Sequence, residues 1–143
     1  MEHIQHLIDC EESYIDDIIE ANFVQLFISL QDDGNIDLEV HRNALEFLSN
    51  ILKFGNFDHA LILFEDHFII SIRDLLNHDD SGVKEMTLHC IKNLLEKLSS
   101  DYANDARQEI INCGLLVKIK QLQMSPKLCK AANEVMAVFL HAN

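Results

Sequence analysis

Apolar residues follow one helical pattern that the chain repeats three times, at a spacing of roughly 45 residues. Each copy has an apolar pair, a turn residue three positions later, and two apolar residues five and eight positions beyond the turn. Spacings of three and four residues indicate amphipathic helices, and repetition at this period predicts a helical solenoid. The pairs are Ile18-Ile19, Leu63-Phe64 and Ile110-Ile111; the turn residues are Asn22, His67 and Gly114; the later residues are Phe27 and Leu30, Ile72 and Leu75, and Ile119 and Leu122.

A longer amphipathic helix closes each copy, with five apolar or small residues in matching slots. Because one triplet of helices cannot bury its apolar face alone, stacking of the copies supplies a shared core. The slots are Val40, Ala44, Phe47, Leu48 and Ile51; Val83, Thr87, Cys90, Ile91 and Leu94; and Leu128, Ala132, Val135, Met136 and Phe139.

The pattern predicts one all-α domain of three units, at residues 11–55, 56–100 and 101–143, behind a short helix within residues 1–10. One Pro and four Gly leave little room for long loops. The turns between second and third helices are expected at 32–35 and 78–82. The predicted helices are 13–20, 22–31 and 38–54; 57–66, 68–77 and 83–99; and 103–113, 115–123 and a last helix that starts at Ser125-Pro126.

Three segments carry a resemblance to a known family. Residues 14–24 and 43–51 are similar to a repeat of importin-alpha, and residues 111–123 resemble the last armadillo repeat of that family. The third helices also show the pattern Ala-x-x-Φ-Φ-x-Asn-Φ, where Φ is apolar. The resemblance implies a right-handed armadillo-type superhelix of about three units, in which the third helices line a groove that holds extended basic peptides.

In that family a repeated Asn holds the peptide backbone, and a Trp four residues earlier packs against Lys side chains. The Asn positions match Asn50, Asn93 and Val138 here, so two of three are kept. The Trp positions match Glu46, His89 and Glu134, and the chain has no Trp. The resemblance therefore implies a repurposed or truncated relative of a nuclear-import adaptor.

These positions give a set of candidate binding residues. Asn50 and Asn93 are expected to contact a partner backbone, and His89 to make that contact sensitive to pH near neutrality. Negative charge for a basic peptide is expected from three carboxylates, which are Glu39, Glu46 and Glu134.

The charge of the chain is unevenly distributed. Residues 1–66 hold 15 acidic and two basic side chains, whereas residues 67–143 hold nine of each, so the net charge of −13 lies in the first half. An acidic surface repels phosphates, which argues against nucleic-acid or membrane partners and favours a basic one. Ordinary solubility of an exposed face explains the same charge equally well.

The last unit contains four lysines, Lys118, Lys120, Lys127 and Lys130. They are either a solvated end of the domain or a docking site for an acidic surface, such as the first half of another copy.

The function expected from the repeats and the groove residues is a non-catalytic protein-binding or peptide-binding scaffold. The alternative is an assembly module that binds a folded partner, or itself, through its ends or its convex face.

No cofactor, metal site or catalytic group is expected. His3, His6, Asp9 and Cys10 carry ligand atoms at helical spacing, but no second cluster accompanies them. Cys90 and Cys129 fit core slots, and Cys113 is not tied by a motif to a base. Scattered cysteines and the lack of a signal-peptide pattern favour the cytosol or nucleus.

Overall fold

The computed structural model describes residues 23–32 and 37–141. Several sequence predictions lie outside these ranges: the N-terminal helix within 1–10, the opening helix 13–20, the turn residue Asn22, most of the turn 32–35, and the group His3, His6, Asp9 and Cys10.

The described residues form helices and turns, without a β-strand. The long third helices of the three units are Leu38–Phe54 (α2), Ser81–Lys97 (α5) and Cys129–His141 (α8). In chain order the helices are α1 (Phe23–Asp32), α2 (Leu38–Phe54), α3 (Phe57–Glu65), α4 (Phe68–Ile72) with a 3₁₀ helix (Arg73–Asn77) directly after it, α5 (Ser81–Lys97), α6 (Ser100–Asn112), α7 (Leu115–Leu122) and α8 (Cys129–His141).

The third helices stack on one another to form a single core. Helix α5 packs against α2 on one side and against α8 on the other. The thiol of Cys90 in α5 donates to the carbonyl oxygen of Leu45 in α2 at 3.7 Å, so the two helices approach closely. Adjacent units therefore share their buried surfaces, as expected of a solenoid.

Thirteen of the fifteen predicted core slots are buried. Phe139 is only partly buried against the core. Val40 is 40% exposed, so its assignment to the core was wrong. It corresponds to Val83 of α5, which is buried, but in α2 this position lies in the first turn and remains partly exposed among the described residues.

The predicted turn residues before the second helices adopt the left-handed conformation. His67 has φ 66° before α4, and Gly114 has φ 89° before α7. Glycine adopts this conformation without a steric penalty, whereas a histidine is strained there. The structure thus confirms the two turn positions that it describes.

Side-chain caps set the beginnings of two helices. The Asn56 side chain accepts from the amide of His59 at 3.1 Å, and Nδ1 of His59 accepts from the amide of Asn56 at 3.0 Å. Asp80 accepts from the amide of Val83 at 2.9 Å, so α5 begins at Ser81, two residues before the predicted start. The cap, rather than the first apolar residue, decides where the helix begins.

Further boundaries also differ from the predictions, and α6 begins at Ser100 and not at residue 103. The segment 68–77 is an α-helix only as far as Ile72, and its second half is 3₁₀. The last helix starts at Cys129, because Ser125 and Pro126 belong to a turn in which the amide of Cys129 donates to the carbonyl of Ser125 at 2.8 Å. Proline fits this turn because it has no N–H to donate.

Candidate functional site

A surface cleft of about 340 Å³ lies between the third helices α2 and α5. It contains four of the residues that the sequence singled out: Glu46, Asn50, His89 and Asn93. Ser49 and Lys53 of α2, and Met86 and Lys92 of α5, complete its lining.

Helical periodicity explains why these side chains share one surface. Glu46, Asn50 and Lys53 follow one another at intervals of four and three residues, so they lie on one face of α2. Leu45, Leu48 and Leu52 lie on the opposite face and are buried. The same alternation in α5 leaves His89 and Asn93 on the cleft side, while Leu94 and its neighbours face the core.

Asn50 and Asn93 occupy equivalent positions in successive third helices, and both are half-buried. An Asn side chain carries both a donor group and an acceptor oxygen, as a backbone peptide group does. Two such amides in equivalent positions suit a ligand that presents its own backbone.

Glu134 of α8 stands next to the cleft, but its charge is shared. One of its carboxylate oxygens lies 3.7 Å from Nζ of Lys92, and Glu96 of α5 lies at the same distance from that ammonium. Lys92 thus links two third helices, and Glu134 offers less negative charge to a ligand than the sequence suggested.

The cleft holds two basic side chains that sequence reasoning did not select. Lys92 follows His89 by three residues, and Lys53 follows Asn50 by three residues, so helical position gave a signal that both lysines belong to the cleft surface. The lining is therefore of mixed charge.

Of the other two predicted binding residues, Glu39 and His89, only His89 lines the cleft. Glu39 is exposed in the first turn of α2, on the same face as Glu46 but seven residues before it and outside the cleft lining. His89 has Nε2 3.6 Å from a carboxylate oxygen of Glu85, one turn earlier in α5.

The four lysines of the last unit do not form one surface. Lys118 and Lys120 are two residues apart in α7, so they point to opposite sides of that helix. Lys118 lines a separate cleft together with Arg73 and Asp74. Lys127 and Lys130 are exposed at the turn before α8 and in its first turn.

The three described cysteines differ in their surroundings. Burial raises the pKa of the Cys90 thiol to about 12, and a hydrogen bond with Ser49 offsets only part of this. Cys129 is partly exposed, not buried as predicted, because the adjacent Leu128 takes the core position. No group of three or more His, Cys, Asp or Glu residues within 23–32 and 37–141 is arranged to hold a metal ion.

Within the described part of the chain, no helix combines the length and the apolar character that crossing a bilayer requires.

No protein-family model and no curated protein matches the chain. Solved structures do match its fold. A designed armadillo repeat protein in complex with the peptide (KR)4 superposes with a TM-score of 0.79 at 22% identity, covering 95% of this chain and 54% of that one. Another designed armadillo repeat protein gives 0.78 and 23%, over 95% and 55%.

A computationally designed armadillo repeat protein for modular peptide recognition gives a TM-score of 0.80 and 23% identity, over 95% of this chain and 55% of its own. The chain thus spans about half the length of these neighbours. Their likeness shows an armadillo-type, right-handed helical solenoid of about three units.

Proposed function

We propose that this protein is a non-catalytic scaffold that holds an extended peptide across its third helices. The observation that carries the proposal is the shared cleft of Glu46, Asn50, His89 and Asn93. An extended peptide leaves its N–H and C=O groups unpaired unless a partner satisfies them, and the two Asn amides supply matching groups.

The distribution of charge supports a peptide with basic side chains. The net charge of −13 lies in residues 1–66, which include α2 and Glu46. Long-range attraction then concentrates a cationic peptide near the cleft and accelerates its association.

A cytosolic or nuclear site of action fits the scattered cysteines. The proposed scaffold shares two of the Asn positions of nuclear-import adaptors, but it lacks the Trp residues that pack against Lys side chains there.

Isothermal titration calorimetry with the octapeptide (KR)4, the ligand of one structural neighbour, tests this function. Replacing both Asn50 and Asn93 with Ala is expected to weaken binding by about ten-fold or more, because each lost amide removes net hydrogen-bond free energy of about 1 kcal/mol. Asn104→Ala, in the exposed part of α6, is the control and should bind as the wild type does. Unchanged affinity of the double variant, with an unchanged melting temperature, contradicts the proposal.

Exposed apolar side chains in the last unit favour a second candidate, an assembly module. Val117, Met124 and Leu140 are 62%, 85% and 68% exposed. Such residues serve as contacts when a solenoid binds a folded partner or another copy. Light scattering at several concentrations distinguishes this candidate, because self-association raises the mass with concentration, whereas a monomeric peptide binder keeps one mass.

A further inference from the structure

Helix α2 presents opposite charges at the two edges of the cleft. Glu46 lies one turn before Asn50, and Lys53 lies one turn after it. At 1.5 Å per residue, the seven positions from Glu46 to Lys53 separate the two charges by about 10 Å along the helix. A peptide that crosses α2 at Asn50 therefore has a carboxylate on one side and an ammonium on the other.

The charge of Lys53 is available to a ligand. The residue is exposed, and among the residues that the structure describes it has no carboxylate within ion-pair distance. Its ammonium lies over the ring of Phe54, whose centroid is 5.2 Å from Nζ. A ligand carboxylate thus gains an interaction at Lys53 without displacing an ion pair from any described residue.

Helix α5 adds less to this contrast between negative and positive charge along the cleft. Lys92 already stands between Glu96 and Glu134, and His89 lies beside Glu85. The ammonium of Lys92 is thus already paired, and the carboxylates around it leave the α5 side of the cleft acidic, so Lys53 is the cation of the described cleft lining that remains available. The contrast between Glu46 and Lys53 on α2 decides which side chains the cleft prefers.

We infer that the cleft selects extended peptides in which basic and acidic side chains alternate. This inference rests on the peptide-binding function proposed above and narrows its ligand class. Successive side chains of an extended chain point to opposite sides, so a Lys directed at Glu46 is followed by a residue directed at Lys53. A Glu or Asp fits that second position, whereas a second Lys is repelled by it.

Two octapeptides of identical composition test the inference: KEKEKEKE has four steps from Lys to Glu, and KKKKEEEE has one. Both have zero net side-chain charge, so long-range attraction to the acidic protein is matched. Exposed ion pairs contribute modestly, and the alternating peptide is expected to bind about two- to five-fold tighter in fluorescence anisotropy. Lys53→Gln should remove most of this preference, and Lys53→Glu should abolish or reverse it.

Lys120→Gln, in the last turn of α7 and outside the cleft, is the matched control and should leave the preference unchanged. Equal affinity of the wild type for both peptides overturns the inference, while the function stands if Asn50→Ala with Asn93→Ala still weakens (KR)4. A preference that survives Lys53→Glu, in a variant with an unchanged melting temperature, also overturns it. Absence of binding by all three peptides overturns the function and the inference together.

Discussion

The ammonium of Lys97 donates a hydrogen bond of 3.0 Å to the carbonyl oxygen of Gly55. Gly55 is the C-cap residue that directly follows α2, and Lys97 is the last residue of α5. The bond thus joins the final turns of two successive third helices and places a cation at the negative end of α2, where it is favourable.

Lys97→Met should destabilise the fold by about 1 kcal/mol, because it keeps the apolar stem and removes a partly buried, charge-assisted hydrogen bond. Urea unfolding followed by circular dichroism measures the change. Lys120→Met is the matched control, since Lys120 is an exposed lysine in the last turn of α7. Equal stability of the two variants argues that the bond contributes nothing.

The two left-handed turn residues give a second prediction: substitution should lower the stability at Gly114 but not at His67. Gly114→Ala should destabilise by about 1 kcal/mol, because Ala is strained at φ 89° although its Cβ meets no neighbouring atom. His67→Gly relieves the strain at φ 66° and should leave stability unchanged or raise it, by up to about 1 kcal/mol. Thermal melting of both variants decides the matter; a stabilised Gly114→Ala protein contradicts the assigned conformation.

Thiol reactivity gives a third prediction. Because burial raises the pKa of Cys90 to about 12, its thiol is protonated and shielded in the folded protein at neutral pH. Iodoacetamide should therefore modify the partly exposed Cys113 and Cys129 first, and Cys90 only once urea unfolds the chain. Mass spectrometry of the digested protein follows each site separately. Modification of Cys90 at the rate of Cys113 without urea is incompatible with this packing.

A fourth prediction concerns pH. Burial raises the pKa of Glu109 in α6, and the nearby charge of His67 offsets part of the effect. The folded protein thus holds the Glu109 proton more tightly than the unfolded chain, and the resulting stabilisation, present at low pH, is lost as the pH rises through the raised pKa. Glu109→Gln should therefore raise the melting temperature relative to wild type at pH 7, and the gain should shrink towards pH 4.

Asp105→Asn is the control for that comparison, because Asp105 is an exposed acid one turn earlier in α6. A gain that is the same at both pH values, or is matched by Asp105→Asn, would show that burial of the Glu109 carboxylate is not its cause.

Hydrophobic spacing predicted the architecture well where buried positions and helix ends coincide. Helix α2 begins and ends as predicted, at Leu38 and Phe54. Where a polar side chain sets the boundary, spacing was insufficient. The run His78-Asp79-Asp80-Ser81 offers several possible caps, and the choice of Asp80 depends on its contact with the amide of Val83.

The site was predictable to a similar extent. Helical register and the family resemblance brought Asn50 and Asn93 to one cleft, together with Glu46 and His89. The charge balance was not predictable, because the ion pair of Lys92 with Glu134 joins residues 42 positions apart and depends on how two helices pack. Only the three-dimensional arrangement shows which charges are neutralised and which remain available.

A 3₁₀ helix follows α4 in the second unit, whereas α7 of the third unit is α-helical as far as Leu122. A 3₁₀ helix rises about 2.0 Å per residue and an α-helix about 1.5 Å, so its five residues, Arg73–Asn77, span about 2.5 Å more than an α-helical turn of equal length. Leu75 and its counterpart Leu122 are nevertheless both buried. The repeated pattern thus conserves burial and not axial length, and transplanting residues 68–77 into the third unit would alter the local pitch of the superhelix.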